Sequence, residues 1–346
     1  MRFDILNPAY QKDLASIATV APWQELCGKR IAVSGATGLL GSQIVDFINY
    51  LNQRYAANIR IIALGRKPDS VLNRFRYIDS SLFEVESFEL SEQFPDIKAD
   101  YVIHCAGNSH PRLFAEDPVG TLLGNINGAE KVLRYSADYG AVILLLSSGE
   151  IYGENLNNDT SMSESYTGHI DLSVARSCYT EGKRAVEALC QSYISQFGAK
   201  AKIARPCRIF GPTMTDTDNK ASAQFIKNGL EGKNIVLKSN GEQLFSYIYS
   251  ADAVSALLTI LVKGGNGEAY NVASERCNVR LRDFAEEVAE EAKVNLVFDL
   301  VGELGGSKVT NALLNDTKLK LLGWRGKYNL KEAITQTFKI LKKNED

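Results

Sequence analysis

Arg30 to Gly41 reads R-I-A-V-S-G-A-T-G-L-L-G. Ile31 to Val33 have the unbroken apolar character of a strand buried on both faces. Gly35, Gly38 and Gly41 then carry the chain into a helix over about Ser42 to Leu51. A strand, glycine-rich turn and helix in that order point bare backbone N–H groups at a phosphate. The first glycine permits the tight turn, the second lets a pyrophosphate approach the backbone, and the third lets helix and strand pack closely. Such turns also occur without a ligand, so a dinucleotide site needs a second, independent motif.

The spacing here, G-x-x-G-x-x-G, differs from the G-x-G-x-x-G of many dehydrogenases and resembles the short-chain dehydrogenase/reductase superfamily. That resemblance implies a catalytic Tyr-x-x-x-Lys downstream. Tyr179 and Lys183 supply one within A-R-S-C-Y-T-E-G-K-R. The pair opens a helical pattern continued by Ala185, Val186, Ala188 and Leu189, which sets both side chains on one face.

The bulk properties narrow the class. At 346 residues the chain forms one large or two modest domains, and 39 basic against 41 acidic residues leave it nearly neutral. No face-sized block of Lys or Arg suggests nucleic acid or an anionic membrane; the one short basic run is the C-terminal tail. Six cysteines without a C-x-x-C pair argue against a zinc site or a disulfide framework, so no metal is expected. There is no signal sequence and no apolar run near the roughly 18 residues of a membrane span. The expectation is a soluble, cytoplasmic protein.

From Ile31 to Arg205 apolar strands (Ile59 to Leu64, Tyr101 to Cys105, Ala141 to Leu146, Ala201 to Ala204) alternate with helical patterns. That alternation predicts an α/β fold with a parallel sheet covered on both faces. After Pro206 the rhythm breaks: Gly211-Pro212 marks a loop, Ala221 to Gly232 a helix and Ile235 to Lys238 a short strand. Ser246 to Lys263 reads as a strand and helix returning to the main sheet. Leu281 to Lys293 and Leu330 to Lys342 are further helices. Residues 1–28 form a helical extension with Leu14, Ile17, Ala18 and Trp23 as a packing stripe.

This layout resembles the extended branch of the superfamily, the NAD-dependent epimerase/dehydratase family of nucleotide-sugar epimerases, dehydratases and decarboxylases. Ser147-Ser148-Gly149-Glu150-Ile151-Tyr152-Gly153 is similar to its S-[ST]-x-E-V-Y-G segment, and Phe210-Gly211-Pro212 to its [FY]-G-P turn. Asp252 resembles the aspartate of Y-V-x-D; Asp316-Thr317-Lys318 with Leu322-Gly323-Trp324 resembles D-x-x-K…L-G-W. Locally, Arg176 to Arg184 nearly reproduces the R-A-C-Y-x-E-G-K-R of UDP-glucuronate decarboxylases. The resemblance implies a Rossmann-type doubly wound parallel sheet, over 29–205 plus about 246–275. A smaller C-terminal substrate-binding domain would take 206–245 and 276–346. It also implies a homodimer joined through the helix of Tyr179 and its neighbour.

The resemblance further assigns roles. Tyr179 takes the proton of a sugar C4 hydroxyl while hydride leaves C4 for the cofactor, Ser148 holds the same oxygen, and Lys183 binds the nicotinamide ribose. A tyrosine titrates at about 10 in water, so it needs Lys183 and the positive nicotinamide to act as a base near neutrality. Glu150 fits an enzyme with C5 chemistry, because oxidation at C4 acidifies the C5 proton and makes a C5 carboxylate a β-keto acid. Gly149 stands where dehydratases keep an aspartic acid, which disfavours 4,6-dehydration. Gly35, Thr37, Gly38, Leu39, Leu40, Gly41, Cys105, Ala106, Gly107 and Pro206 would line the cofactor with Tyr179 and Lys183.

The second strand ends Ala63-Leu64-Gly65-Arg66-Lys67, with Arg66 where an acid would bind the ribose of NAD; the cofactor is NAD or NADP, leaning to NADP. His104 reads as structural, and His110 and His169 have no recognisable partner. Three departures bear on the nucleotide-sugar substrate: Phe245 and Leu314 replace family arginines, and Arg208 replaces an asparagine. Arg208, Lys220, Lys227 and Lys238 are candidates to rebuild the anion site. Arg176, Arg208 and Lys238 are therefore the candidate substrate ligands. Decarboxylation of a UDP-glucuronate-like substrate is the favoured reaction, epimerisation or other C5 chemistry the alternative. A non-catalytic dinucleotide sensor or scaffold is disfavoured by Ser148, Glu150, Tyr179 and Lys183 together.

Overall fold

The computed structural model describes residues 3–78, 80–109, 111–155, 161–300 and 310–342; His110 and the end of the basic C-terminal tail lie outside them. In chain order the strands are β1 (Arg30–Ser34), β2 (Arg60–Gly65), β3 (Phe83–Ser87), β4 (Tyr101–His104), β5 (Val142–Leu146), β6 (Lys200–Pro206) and β7 (Arg208–Phe210). They continue with β8 (Ile235–Leu237), β9 (Leu244–Tyr249), β10 (Ala269–Val272), β11 (Asn278–Arg280), β12 (Leu296–Phe298) and β13 (Asn311–Ala312). The helices are α1 (Pro8–Val20), α2 (Leu39–Tyr55), α3 (Pro68–Arg74), α4 (Pro111–Glu116), α5 (Pro118–Tyr139) and α6 (Ser177–Phe197). After them come α7 (Ala221–Leu230), α8 (Ser250–Lys263), α9 (Leu281–Ala292), α10 (Thr317–Leu321) and α11 (Leu330–Leu341).

A seven-stranded sheet in the order β10-β6-β5-β4-β1-β2-β3, parallel throughout, forms the frame. The order reverses between β1 and β4, which opens a crevice at their C-terminal ends. Alternate residues of each strand serve opposite faces. Ile31, Val33, Ile61, Ala63 and Ile103 join one core with α2 and α8; Ala32, Ile62, Leu64, Val102 and Ile143 join another with α5 and α6. This is the doubly wound α/β arrangement the alternation of strands and helices implies.

The expectation for Ser246 to Lys263 is only half met. Helix α8 does pack on the main sheet, against β5 and β6. The strand before it, β9, instead pairs with β7, β11 and β13 in a separate four-stranded sheet. Its run Phe245 to Tyr249 is buried throughout, so its pattern cannot distinguish one sheet from another. The strand that does return is β10, which sequence reading missed; it pairs with β6 from Ala269 to Val272.

Helix α1 packs against α2, α8 and α11. Leu14 and Ile17 of the expected stripe are buried, and Trp23 lies 4.8 Å from the ring of Tyr55. Asp13 is fully buried, accepting hydrogen bonds from Tyr249, Tyr328 (2.9 Å) and Gln336 (2.9 Å). Burial lifts its carboxyl to about 6 despite those donors.

Candidate active site

The crevice begins at the glycines. Gly35 has φ +67°, and a Cβ there would lie 2.9 Å from the Ala106 nitrogen; one at Gly41 would lie 2.2 Å from the Gly35 carbonyl oxygen. Bare backbone is therefore required at the first and third glycines, while Gly38 caps α2, which starts at Leu39 rather than Ser42. Leu39 and Leu40 form the first turn and Thr37 is exposed beside it. The cradle suits a pyrophosphate, because the free N–H groups and the positive end of α2 converge there.

Across the crevice, Cys105, Ala106 and Gly107 follow β4. Ala106 N–H donates to Ser34 Oγ (3.2 Å), which lies 2.8 Å from His104 Nδ1. Burial, with a smaller push from Lys183, lowers His104 to about 3, so the imidazole stays neutral and braces the loop. Burial raises the Cys105 thiol to about 12, which keeps it protonated and unreactive. Arg66 is exposed just beyond β2, and Pro206 ends β6.

At the end of β5, Ser148 caps a single 3₁₀ turn, its Oγ accepting from Glu150 N–H at 3.1 Å. Tyr179 and Lys183 leave the first two turns of α6, both buried. Lys183 Nζ donates to the Leu146 carbonyl at 2.8 Å, which fixes the ammonium beneath the end of the sheet. Burial lowers Lys183 to about 8, partly opposed by Cys105 and Glu187. Burial, then the charge of Glu150, pushes Tyr179 well above its ordinary range, against a hydrogen bond from Ser148 and the charge of Arg176. Lys183 Nζ sits 6.0 Å from the Tyr179 ring centroid. Burial above all thus favours the protonated phenol.

Arg176 is brought to the same place. Its guanidinium donates to Glu150 Oε2 at 2.8 Å and lies 4.6 Å from the centroid of Phe114, whose ring stacks on Tyr179 at 4.4 Å and 17°. Both members of the Glu150–Arg176 pair are close to half exposed and so open to a ligand. Phe114 escaped sequence reading because an aromatic residue in a short helix carries no signal of its own. Asn125 was missed too. It is buried on α5, its Oδ1 lacks a hydrogen-bond partner among the described residues, and that oxygen lies 3.0 Å from where a Gly107 Cβ would stand. A polar residue on the core-facing side of α5 was the available signal.

The remaining candidates divide. Phe245 and Leu314, which replace arginines of the family pattern, are both buried. A Cβ on Gly149 would lie 2.8 Å from Leu314 Cδ1, so Leu314 occupies the space a side chain at 149 would need. Arg208 lies flat on Phe245, 3.5 Å from its ring centroid. Lys220 pairs with Asp218, and Lys227 donates to the carbonyls of Asp216 and Asp218. Lys238 is exposed beyond β8, in the two-stranded β8–β12 sheet. His169 is exposed, with its carbonyl accepting from Glu154 N–H at 3.0 Å. No cluster of three or more His, Cys, Asp and Glu suited to a metal ion occurs among the described residues, and no helix among them is long and apolar enough to cross a membrane.

Residues 31–273 match the profile of the NAD dependent epimerase/dehydratase family. The chain is 30% identical over 306 residues to UDP-glucuronic acid decarboxylase 5 of Arabidopsis thaliana, covering 88% of this chain and 87% of that one. Among solved structures it is similar to UDP-glucose 4-epimerase from Thermotoga maritima, with a TM-score of 0.78 and 22% identity over 92% of this chain and 100% of the other. It also resembles dTDP-glucose 4,6-dehydratase from Bacillus anthracis, solved in complex with NAD, with a TM-score of 0.74 and 20% identity over 92% and 97%. At those identities the structural likeness concerns the fold.

Proposed function

The chain belongs to the NAD dependent epimerase/dehydratase family, as an extended short-chain dehydrogenase/reductase that modifies nucleotide sugars, and from that premise we propose that it decarboxylates a UDP-glucuronate-like substrate after transient oxidation at C4. The observation that carries the reading is Arg176, a half-exposed guanidinium beside Glu150 and stacked on the ring that covers Tyr179. A 4-keto uronate is a β-keto acid that loses CO₂ readily once its carboxylate is oriented against the C4 carbonyl, and a planar fork of N–H donors suits that positioning.

An oxidised nicotinamide held by these residues would bring a positive charge to the site and would serve as the hydride acceptor for C4, returning the hydride at the end. Tyr179 then takes the C4 hydroxyl proton, Ser148 hydrogen-bonds the same oxygen, and Lys183 holds the ribose. The glycine cradle at Gly35, Gly38 and Gly41, with Thr37, Leu39 and Leu40, receives the pyrophosphate, while Cys105 to Gly107 and Pro206 border the nicotinamide half. Arg66, exposed at the end of β2, suits the 2′-phosphate of NADP. We further propose a cytoplasmic homodimer through α5 and α6, which leave Val119, Leu123, Tyr139 and Phe197 at least half exposed.

A second reading, C5 epimerisation of a neutral sugar, is favoured by apolar Leu314, which stands where the family pattern has an arginine and whose Cδ1 would lie 2.8 Å from a Cβ at Gly149. Incubation with UDP-glucuronate and, separately, with neutral UDP-hexoses in D₂O separates the two. The decarboxylase reading expects CO₂ and a five-carbon sugar nucleotide; a product with all six carbons and deuterium at C5 would overturn it in favour of the second.

A further inference from the structure

The reacting groups stand on two elements. Tyr179 and Lys183 leave α6 and Arg176 caps it, whereas Ser148 and Glu150 belong to the 3₁₀ turn Gly149–Tyr152 and its cap. Their chemistry needs turn and helix to hold one register. Four residues of 3₁₀ helix cannot supply that alone, since so short a piece makes few hydrogen bonds of its own. Ile151 and Tyr152 sink into a small apolar cluster with Met162, Ala273 and Leu314. Such burial is non-directional and fixes depth rather than rotation.

Two arginines supply the direction. Arg184, the residue after Lys183, donates from Nε to the Ile151 carbonyl at 2.8 Å and from Nη2 to the Gly168 carbonyl at 3.1 Å. Arg205, in β6, forms a bidentate pair with Glu187, one helical turn beyond Lys183, at 3.0 and 2.6 Å. Its Nη1 donates to the Tyr152 hydroxyl at 2.9 Å and to the Glu164 carbonyl at 2.7 Å. That hydroxyl in turn donates to Asn271 Oδ1 at 2.5 Å. Four of the five N–H groups of Arg205 are thereby used, which no lysine can reproduce. The Arg205 and Glu187 side chains are only 12% and 13% exposed, so water does not compete for the fork.

We propose that Arg205 and Arg184 are positioning residues for the reaction: through the Tyr152 hydroxyl and the Ile151 carbonyl they hold Ser148 and Glu150 in register with Tyr179, Lys183 and Arg176. The assignment rests on the nucleotide-sugar reading. A side chain that only stabilised the fold would leave turnover of the folded protein unchanged. A positioning one is read in kcat, with KM unmoved.

Three variants test this by steady-state kinetics on UDP-glucuronate, or on the neutral UDP-hexose that the wild type converts. Tyr152→Phe removes one hydroxyl and leaves the ion pair, Arg184→Gln removes the tie to Ile151, and Arg205→Lys keeps the charge beside Glu187 without the fork. The kcat should fall about 10-fold in the first two and about 100-fold in the third, the scale for displacing a catalytic group by about 1 Å, with KM within about threefold. If Arg205→Lys does not fold, the two milder variants carry the test. Amide exchange at Glu150 and Gly153 should speed in the same variants while β1 and β4 stay protected, which shows an intact fold. A kcat within about threefold of wild type in both Tyr152→Phe and Arg184→Gln, a loss that falls on KM, or unchanged exchange at the turn would overturn the assignment. A wild type that converts only a hexose would overturn the decarboxylase reading and not the positioning. One that converts neither would overturn the reading on which the assignment rests, and the assignment with it.

Discussion

The turn after β1 and the sheet formed by β7, β9 and β13 are constrained differently. At the turn the backbone decides: Gly35 and Gly41 have no room for a Cβ, and Ser34, His104 and Ala106 are tied by hydrogen bonds. In the sheet side chains decide: Phe245 and Leu314 are apolar and Arg208 is charged where the family pattern has two arginines and an asparagine, while the strands keep their pairing. A turn set by backbone geometry tolerates little change. Positions set by side chains can change without disturbing the pairing of the sheet.

The largest expected effect falls on Tyr179, at the start of α6. Tyr179→Phe should retain the fold and cofactor affinity while turnover drops by about 10²- to 10⁴-fold, the range for general-base catalysis. Turnover within threefold of wild type, on a substrate verified by its product, would break the comparison at its firmest point. Next comes the exposed edge of the cradle. Arg66→Ala should weaken NADP by about 1–3 kcal/mol and leave NAD unaffected, as expected for one lost charge-assisted contact. Equal titration of both cofactors before and after the change would remove the NADP preference.

The smallest effect sits where the two halves meet. Gly149→Ala should cost about 1 kcal/mol, because the new Cβ presses on buried Leu314 Cδ1. Adding Leu314→Ala should relieve it, giving a coupling above about 0.5 kcal/mol in a double-mutant cycle of chemical unfolding. Strict additivity would mean that the contact does not limit residue 149.

The sequence made the main sheet legible because β1, β2, β4, β5 and β6 are short apolar runs separated by helical patterns, and because Gly35 and Gly41 answer to backbone sterics that allow few substitutes. Tyr179, Lys183 and Ser148 were legible for a related reason: helix periodicity and strand ends fix where their side chains emerge. β9 was misassigned since a strand buried on both faces has no alternation to reveal its partner. β3, with Glu84 and Glu86 in a five-residue edge strand, gave too little apolar signal. The stack of Arg176, Phe114 and Tyr179 joins α4 to α6 across more than sixty residues of chain. No local pattern encodes such a contact. The seating of Arg208 on Phe245 is equally non-local.

Everything in the account depends on transient oxidation at C4. The direct test is a single-turnover comparison of UDP-glucuronate with the same compound deuterated at C4, a regime in which product release does not mask the chemical step. The account predicts a slower reaction for the deuterated substrate, accompanied by transient reduced-nicotinamide absorbance that Tyr179→Phe abolishes. Equal rates for the two substrates, with product formed and no transient, would contradict it.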